Sequence, residues 1–226
     1  MTSTIGLLLS GGLDSCIMLS HFLQQGLKVQ PIYVNCHLTW QTAELASLQK
    51  YLAAMKQPNL AALVQLDQPV ADLYGNHWSV TGKAVPDEST TDDAVYLPGR
   101  NVLLAVKSVL WCQMHGVDTL ALATLRSNPF PDATDEFFDT LTTALNLATQ
   151  SSVQIIRPFQ TFDKLAVMQL GQDAALQYTF SCISPAGELH CGRCNKCAER
   201  QAAFRSAGLP DPTTYAAPAP ARMQSA

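Results

Sequence analysis

The chain has 226 residues, of which 47% are hydrophobic and 14% are charged, and its formal net charge is −4 at pH 7. This composition predicts one globular domain that is long enough to bury a core. The acidic balance excludes a general attraction to the phosphate backbone of nucleic acids, so we expect a small-molecule substrate and no nucleic-acid partner.

Apolar runs typical of buried strands alternate with helical patterns along most of the chain. In chain order, we predict strand 4–9, helix 14–25, strand 29–34, helix 41–55, strand 60–66, helix 102–115, strand 119–124, helix 135–148 and strand 153–156. This alternation predicts an α/β fold with a doubly wound, mostly parallel sheet covered on both faces.

Two segments interrupt the alternation. Residues 68–98 show no clear periodicity, which predicts a disordered loop or a lid, and Lys83 and Ser79 could close it over a nucleotide. Residues 216–226 are of low complexity, so we expect a flexible tail there.

No apolar run suits a membrane span or a targeting signal, and seven cysteines then indicate a reducing compartment, so we expect a cytoplasmic location and no membrane partner.

The stretch SGGLDS, residues 10–15, directly follows the first predicted strand. Glycines at the turn from a buried strand into a helix let backbone N–H groups approach a ligand, and the helix N-terminus adds positive potential, so the turn predicts an anion site. The alternative is a plain strand-to-helix turn in which Ser10 or Asp14 caps the helix. The spacing matches neither a Walker P-loop nor a Rossmann glycine turn.

A second candidate anion contact is the stretch PGRN, residues 98–101, which opens the third predicted helix. It would direct Arg100 toward an anion at the helix N-terminus. The alternative is a type II turn with a solvated arginine.

Four cysteines in the C-terminal part have the spacing C-x8-C-x2-C-x2-C, namely Cys182, Cys191, Cys194 and Cys197. Four thiolates so close in sequence predict a closed, tetrahedral, structural zinc site. An iron–sulfur cluster is the alternative, and His190 could replace one thiolate. The remaining cysteines, Cys16, Cys36 and Cys112, lie among apolar residues, so we expect them in the core.

SGGLDS resembles the loop of the N-type ATP pyrophosphatases, also called PP-loop enzymes, which cleave ATP between its α and β phosphates. Together with PGRN and the segment HCGRCNKCAERQAAFRSAGLPDPTTY, residues 190–215, it resembles the 7-cyano-7-deazaguanine synthase (QueC/ExsB) family over most of residues 5–215. This resemblance implies a Rossmann-like fold of the adenine nucleotide alpha hydrolase type over residues 1–178, a zinc-binding helical segment over residues 179–215, and a homodimer.

The resemblance also implies an ATP-dependent ligase that adenylates 7-carboxy-7-deazaguanine or a related acid and converts it with ammonia into an amide and then a nitrile. The implied cofactors are ATP, Mg²⁺ and Zn²⁺, with Asp14 steering the magnesium and Lys164 lying near the α-phosphate. The implied catalytic residues are Asp14, Arg100 and Lys164. The implied nucleotide contacts are Ser10, Gly11, Gly12, Leu13, Asp14, Ser15, Arg100 and Asn101.

Two segments depart from the family pattern. Residues 36–44 keep only Glu44, and in residues 126–134 an acid is replaced by Arg126, although Asp132 remains. We expect Arg126, Asp132 and His37 at a substrate carboxylate, which an arginine can bind through two hydrogen bonds. Arg126 could equally be an exposed loop residue and Asp132 a helix cap, and the acid could differ from the usual deazaguanine.

Two other functions stay open. One is a tRNA-modifying PP-loop enzyme, because a local basic patch could form near the cysteines from Arg193, Lys196, Arg200 and Arg205. The other is a catalytically silent, nucleotide-binding paralogue, against which the intact SGGLDS stretch counts.

Overall fold

The computed structural model describes residues 4–217, so most of the predicted tail, residues 218–226, lies outside the described residues. The five strands are β1 (Thr4–Leu8), β2 (Lys28–Asn35), β3 (Val64–Asp67), β4 (Thr119–Ala121) and β5 (Gln154–Ile156). They form one sheet in the order β3-β2-β1-β4-β5, in which every neighbouring pair is parallel. The predicted parallel sheet is confirmed.

Eight α-helices accompany the sheet in the described part of the chain. They are α1 (Leu13–Gln24), α2 (Gln41–Ala54), α3 (Ala71–Tyr74), α4 (Trp78–Thr81), α5 (Arg100–Met114), α6 (Asp135–Thr149), α7 (Lys164–Leu170) and α8 (Asn195–Ala207). None of the described helices is long and apolar enough to cross a membrane.

Two strands are shorter than predicted. The strand predicted at 60–66 begins only at Val64, and Leu60 forms no more than an isolated bridge with Val29. The strand predicted at 119–124 ends at Ala121, although Leu122 still donates a hydrogen bond to the Ile156 carbonyl. Its partner β5 ends there because a proline, which has no N–H to donate, follows two residues later.

Successive strand residues point into different cores, as the pleat of a strand requires. Leu7, Val29 and Ala121 pack with apolar residues of α1, α2, α7 and α8 on one face of the sheet. Ile32 and Leu120 pack with residues of α5 and α6 on the other face. The fold is therefore a doubly wound α/β sandwich, and α8 shares the core of the sheet. The predicted boundary between residues 178 and 179 stays a prediction.

The segment 68–98, for which we predicted a disordered loop or a lid, contains α3, α4 and a 3₁₀ turn at Asp92–Val95. Its second half is held against the cysteine segment, because Glu88 N–H donates to the Arg193 carbonyl at 3.0 Å and Asn195 N–H donates to the Pro86 carbonyl at 3.0 Å. The segment therefore packs on the C-terminal part of the chain.

The contact between α1 and α7 gives a test of the packing. Gly171 ends α7 with φ −93°, which alanine adopts easily, but an added Cβ would lie 2.6 Å from Cδ1 of Ile17. Gly171→Ala should therefore lower the free energy of unfolding, measured by urea denaturation, by about 1–3 kcal/mol through overpacking. In an Ile17→Ala background, where the clashing atoms are absent, the same substitution should cost little. An equal loss in both backgrounds would contradict this account.

Candidate active site

The SGGLDS loop joins the end of β1 to the start of α1. Gly11 has φ +83°, a left-handed conformation that favours glycine, and its carbonyl accepts a hydrogen bond from Phe180 N–H at 2.7 Å. No side chain caps α1, whose N-cap residue is Gly12. The first N–H groups of α1 are thus not bound by a capping side chain, and this supports an anion site over the alternative in which Ser10 or Asp14 caps the helix.

A cavity of about 350 Å³ lies at the carboxyl ends of the strands, beside the SGGLDS loop. In the order β3-β2-β1-β4-β5 the chain reverses direction across the sheet at β1, and ligands of open α/β sheets bind at such a switch point. The predicted residues that line the cavity are Ser10, Gly12, Leu13, Asp14, Ser15, Arg100, Asn101 and Lys164. Eight predicted residues from three separate parts of the sequence thus meet in one place.

One end of the cavity carries a chain of alternating charges. Lys164 Nζ lies 2.9 and 2.8 Å from the two carboxylate oxygens of Asp14 and 3.4 Å from Glu199 Oε1, and Lys196 Nζ lies 2.6 Å from Glu199 Oε2. Burial disfavours the charged ammonium of Lys164, but the two carboxylates outweigh it and hold its pKa above the ordinary value. Lys164 therefore stays a cation beside the SGGLDS loop.

Aromatic side chains also line the cavity. The rings of Trp40 and Trp78 stack with centroids 5.7 Å apart and planes 23° apart, and Val95 and Leu97 line the same wall. The Arg100 guanidinium lies 6.0 Å from the Trp40 ring centroid, and its buried Nε has no hydrogen-bond partner in the described structure. This wall suits a flat ring, and Arg100 has donor capacity left for a ligand.

A buried carboxylate lies deeper in the cavity wall. Glu44 is only 6% exposed, and its Oε1 accepts a hydrogen bond from the Tyr33 hydroxyl at 2.9 Å. Burial raises the pKa of Glu44 to about 7. The positive charge of Arg100 and the hydrogen bonds that Glu44 itself makes lower this pKa, but burial outweighs them. Glu44 can therefore exchange a proton near neutral pH.

The predicted substrate residues do not line this cavity. Arg126 is 67% exposed and lies 3.7 Å from Asp163, and His37 Nε2 lies 3.2 Å from Asp67 on the surface. Asp132 is buried, and its Oδ2 accepts a hydrogen bond from Asn101 N–H at 3.1 Å, so it caps α5. A substrate role for these three residues stays a prediction without support from the cavity.

Several cavity residues were not predicted from the sequence. They are Tyr33, Trp40, Glu44, Trp78, Lys196 and Glu199. Gly11, Lys83 and Ser79, in contrast, were predicted and are not among the lining residues. The sequence signals for this group were the retained acid at Glu44 and the place of Lys196 in the basic patch near the cysteines. The others come from segments whose position depends on long-range packing.

The four C-terminal cysteines form one compact, buried cluster. Their sulfur atoms all lie within 4.8 Å of one another, with 3.8 Å between Cys182 and Cys194 and 3.9 Å between Cys191 and Cys197. A tetrahedron with zinc–sulfur bonds of about 2.3 Å has edges of about 3.8 Å, so the cluster fits a zinc ion. Backbone N–H groups of Cys191 and Cys194 donate to neighbouring sulfurs, which favours thiolates.

His190 lies outside this cluster. Its Nε2 accepts a hydrogen bond from Ser181 N–H at 3.1 Å, and its ring packs against Phe180. The alternative in which His190 replaces a thiolate is therefore not supported, since all four sulfurs already converge without it.

The metal site can be tested by substitution. Cys197→Ser should abolish stoichiometric zinc in the purified protein and lower its melting temperature, because a structural zinc contributes directly to folding. Zinc and iron are measured together by mass spectrometry of the metal content. Cys112→Ser, a substitution in the core on α5, should leave the zinc in place. Iron with a visible absorption band in the wild-type protein would contradict the zinc assignment.

The pKa of Glu44 gives a pH-dependent prediction. Between its ordinary value of 4.5 and about 7 the folded state binds a proton that the unfolded state has lost, so the free energy of unfolding falls as the pH rises through this window. Glu44→Gln removes this effect and keeps an oxygen for Tyr33. Between about pH 5 and about pH 8, the free energy of unfolding of Glu44→Gln, taken relative to that of the wild type, should rise by up to about 3 kcal/mol.

Urea denaturation at the two pH values measures this difference. Glu136→Gln, at an exposed position on α6, is the matched control and should show no such trend. A Glu44→Gln variant whose relative stability does not change with pH would sink the assignment.

Comparison with known proteins agrees with the geometry. A family model described as queuosine biosynthesis protein QueC matches residues 4–208. A 7-cyano-7-deazaguanine synthase of Thiobacillus denitrificans is 30% identical over 220 residues, which cover 92% of this chain and 96% of the relative. One of Chlorobium phaeovibrioides is 26% identical over 225 residues, which cover 92% of this chain and 94% of the relative.

Two further similarities are more limited. A 7-cyano-7-deazaguanine synthase of Saccharolobus solfataricus is 28% identical, but this chain spans only 46% of its length. A crystal structure of a 4-thiouridine synthetase–RNA complex with bound ATP matches with a TM-score of 0.49 and 14% identity. The match covers 94% of this chain and 47% of the synthetase chain, and the likeness is too low to support an inference.

The matched range contains the SGGLDS loop, the PGRN turn, Lys164 and all four clustered cysteines, which are the features that build the cavity and the sulfur cluster. Because the family model covers nearly the whole chain, the protein belongs to the QueC family.

Proposed function

We propose that this protein is an ATP-dependent ligase that adenylates 7-carboxy-7-deazaguanine or a closely related acid and uses ammonia to form an amide and then a nitrile. The observation that carries this proposal is the meeting of the uncapped α1 N-terminus, Asp14, Arg100 and Lys164 in one cavity at the switch point of the sheet. Together they offer the N–H donors, the cations and the metal-binding carboxylate that cleavage of ATP at its α-phosphate requires.

In the first step a substrate carboxylate oxygen attacks the α-phosphorus, and the bond to the β-phosphate oxygen breaks, releasing pyrophosphate. The N–H groups of α1 would bind the departing pyrophosphate, while Lys164 and Arg100 would offset the charge that develops on the phosphates. Asp14 is the residue that would hold Mg²⁺, which supplies further charge neutralisation when bound.

In the second step ammonia attacks the acyl carbon, AMP leaves, and a proton is lost. The amide oxygen can then attack the α-phosphorus of a second ATP in the same pose, which releases a second pyrophosphate, and loss of AMP with two protons gives the nitrile. Glu44 lines the cavity with a pKa of about 7, so it is suited to take up a proton from the attacking ammonia.

The aromatic side chains that line the cavity support a planar substrate. Trp40 and Trp78 offer a flat apolar wall, and Arg100 beside Trp40 offers a cation for a carboxylate. Segment 36–44, which departs from the family pattern, supplies Trp40, Gln41 and Glu44 to the cavity. Trp40 and Gln41 lie where this chain departs from that pattern, whereas Glu44 is retained, so related planar acids belong in the assay.

The geometry counts against the tRNA-modifying alternative. Of the four basic residues proposed as a surface patch, Arg200 is 2% exposed and bonded to Thr179, Ser181 and Thr213, and Lys196 lines the cavity. Only the other two remain exposed, which is a weak attraction for RNA. The homodimer implied by the family resemblance and the cytoplasmic location expected from the cysteines both stay predictions.

Pyrophosphate release from ATP with 7-carboxy-7-deazaguanine and ammonium, followed by mass analysis of the base, tests the proposal. Lys164→Met and Asp14→Asn should each lower kcat/KM at least about 100-fold, since each removes a charge at the reacting phosphates. Arg205→Met, an exposed change on α8, should leave the rate unchanged.

The outcomes separate the parts of the proposal. Amide or nitrile product supports it. Protein that binds ATP but makes no product with this acid or related planar acids would overturn the substrate assignment and leave only nucleotide binding.

A further inference from the structure

The cysteine segment contributes two charged residues, Lys196 and Glu199, to the end of the cavity that holds Asp14 and Lys164. We propose that Lys196 is a phosphate-binding residue of the nucleotide site and that Glu199 is the carboxylate that holds Lys196 and Lys164 until a nucleotide replaces it. The inference rests on the proposed ATP site, but it does not depend on which acid is adenylated.

The contacts place both cations on one carboxylate. Glu199 Oε2 lies 2.6 Å from Lys196 Nζ, and Glu199 Oε1 lies 3.4 Å from Lys164 Nζ, which in turn contacts both oxygens of Asp14. Lys196 thus connects to the first turn of α1 through two intervening side chains. The side chains of the two lysines are only 30% and 25% exposed, so they lie in the wall of the cavity.

The backbone of Lys196 is fixed by its surroundings. Lys196 lies between Cys194 and Cys197, and Cys197 N–H donates a 3.0 Å hydrogen bond to the Cys194 carbonyl. The neighbouring Asn195 N–H donates to the Pro86 carbonyl. A cation anchored by a metal cluster needs little ordering on ligand binding, which lowers the entropic cost of the contact. The zinc site therefore supplies a positioned charge to the cavity.

The charges of the cavity favour this role. Its charged lining residues are four cations, Arg100, Lys164, Lys196 and Arg200, against three acids, Asp14, Glu44 and Glu199. A triphosphate remains anionic even with magnesium bound, so it binds better where cations are in excess. Without Lys196 this lining would have as many acids as cations.

The alternative is an ordinary helix pair, because Lys196 and Glu199 are three residues apart on α8. Such a pair on a solvated surface contributes little to stability, and losing either partner would have a similar effect. A phosphate-binding role predicts opposite effects instead. Loss of Lys196 removes an attraction for the nucleotide, whereas loss of the Glu199 charge removes a repulsion.

The test measures binding of Mg²⁺ and α,β-methylene-ATP, which cannot be cleaved at its α-phosphate, to zinc-loaded protein by calorimetry. Lys196→Met should weaken binding about 10-fold, and Lys196→Arg should restore it to within about 3-fold of wild type. Glu199→Gln should bind as tightly as wild type or more tightly. Arg193→Met is the matched control, since it removes an exposed cation from the same cysteine segment and should change nothing.

Zinc content is measured for every variant, so that a lost metal is not mistaken for a lost contact. The proposal is overturned if Lys196→Met binds within twofold of wild type, if both Lys196→Met and Glu199→Gln weaken binding equally, or if the wild type does not bind the nucleotide. Because this readout needs no acid and no ammonia, an inactive enzyme with the expected binding pattern would refute the proposed function and leave this inference standing.

Discussion

The ion pair between Lys164 and Asp14 is the contact on which the arrangement of the cavity depends. It joins the first turn of α1 to the first residue of α7, 150 positions apart in sequence, and the packing of Ile17 on Gly171 continues the same contact through the core. Both side chains are about a quarter exposed, so the pair contributes modestly to stability. Its main consequence is that a cation lies beside the SGGLDS loop before any ligand arrives.

The cysteine cluster extends this arrangement. By fixing the start of α8 and the second half of segment 68–98, it brings the charged residues Lys196 and Glu199 and the apolar residues Val95 and Leu97 to one cavity. A structural zinc held by this cluster would therefore affect the site without contacting a substrate. A metal site with no open coordination position can thus serve the cavity by positioning its residues. Loss of the metal is therefore expected to alter both stability and nucleotide binding.

The sheet and the four-sulfur cluster were predictable because short stretches encode them: apolar strands that alternate with helices, and fixed cysteine spacing. Several residues that complete the cavity were not predictable in this way. Trp78 lies in a four-residue helix with no periodicity, and Glu199 forms a pair typical of a solvated helix face. The charge change at Arg126 drew attention to a residue that is exposed, since its position depends on how the chain leaves β4. Long-range packing decides these cases.

The most direct test of the account is a crystal structure with magnesium and α,β-methylene-ATP. The account predicts the β and γ phosphates at the N–H groups of residues 11–15, with the Lys164 ammonium moved from Asp14 to the phosphates and Asp14 facing the magnesium. A nucleotide bound elsewhere, or phosphates at the loop with the ion pair between Lys164 and Asp14 unchanged, would contradict the assignment of this cavity as the site of ATP cleavage.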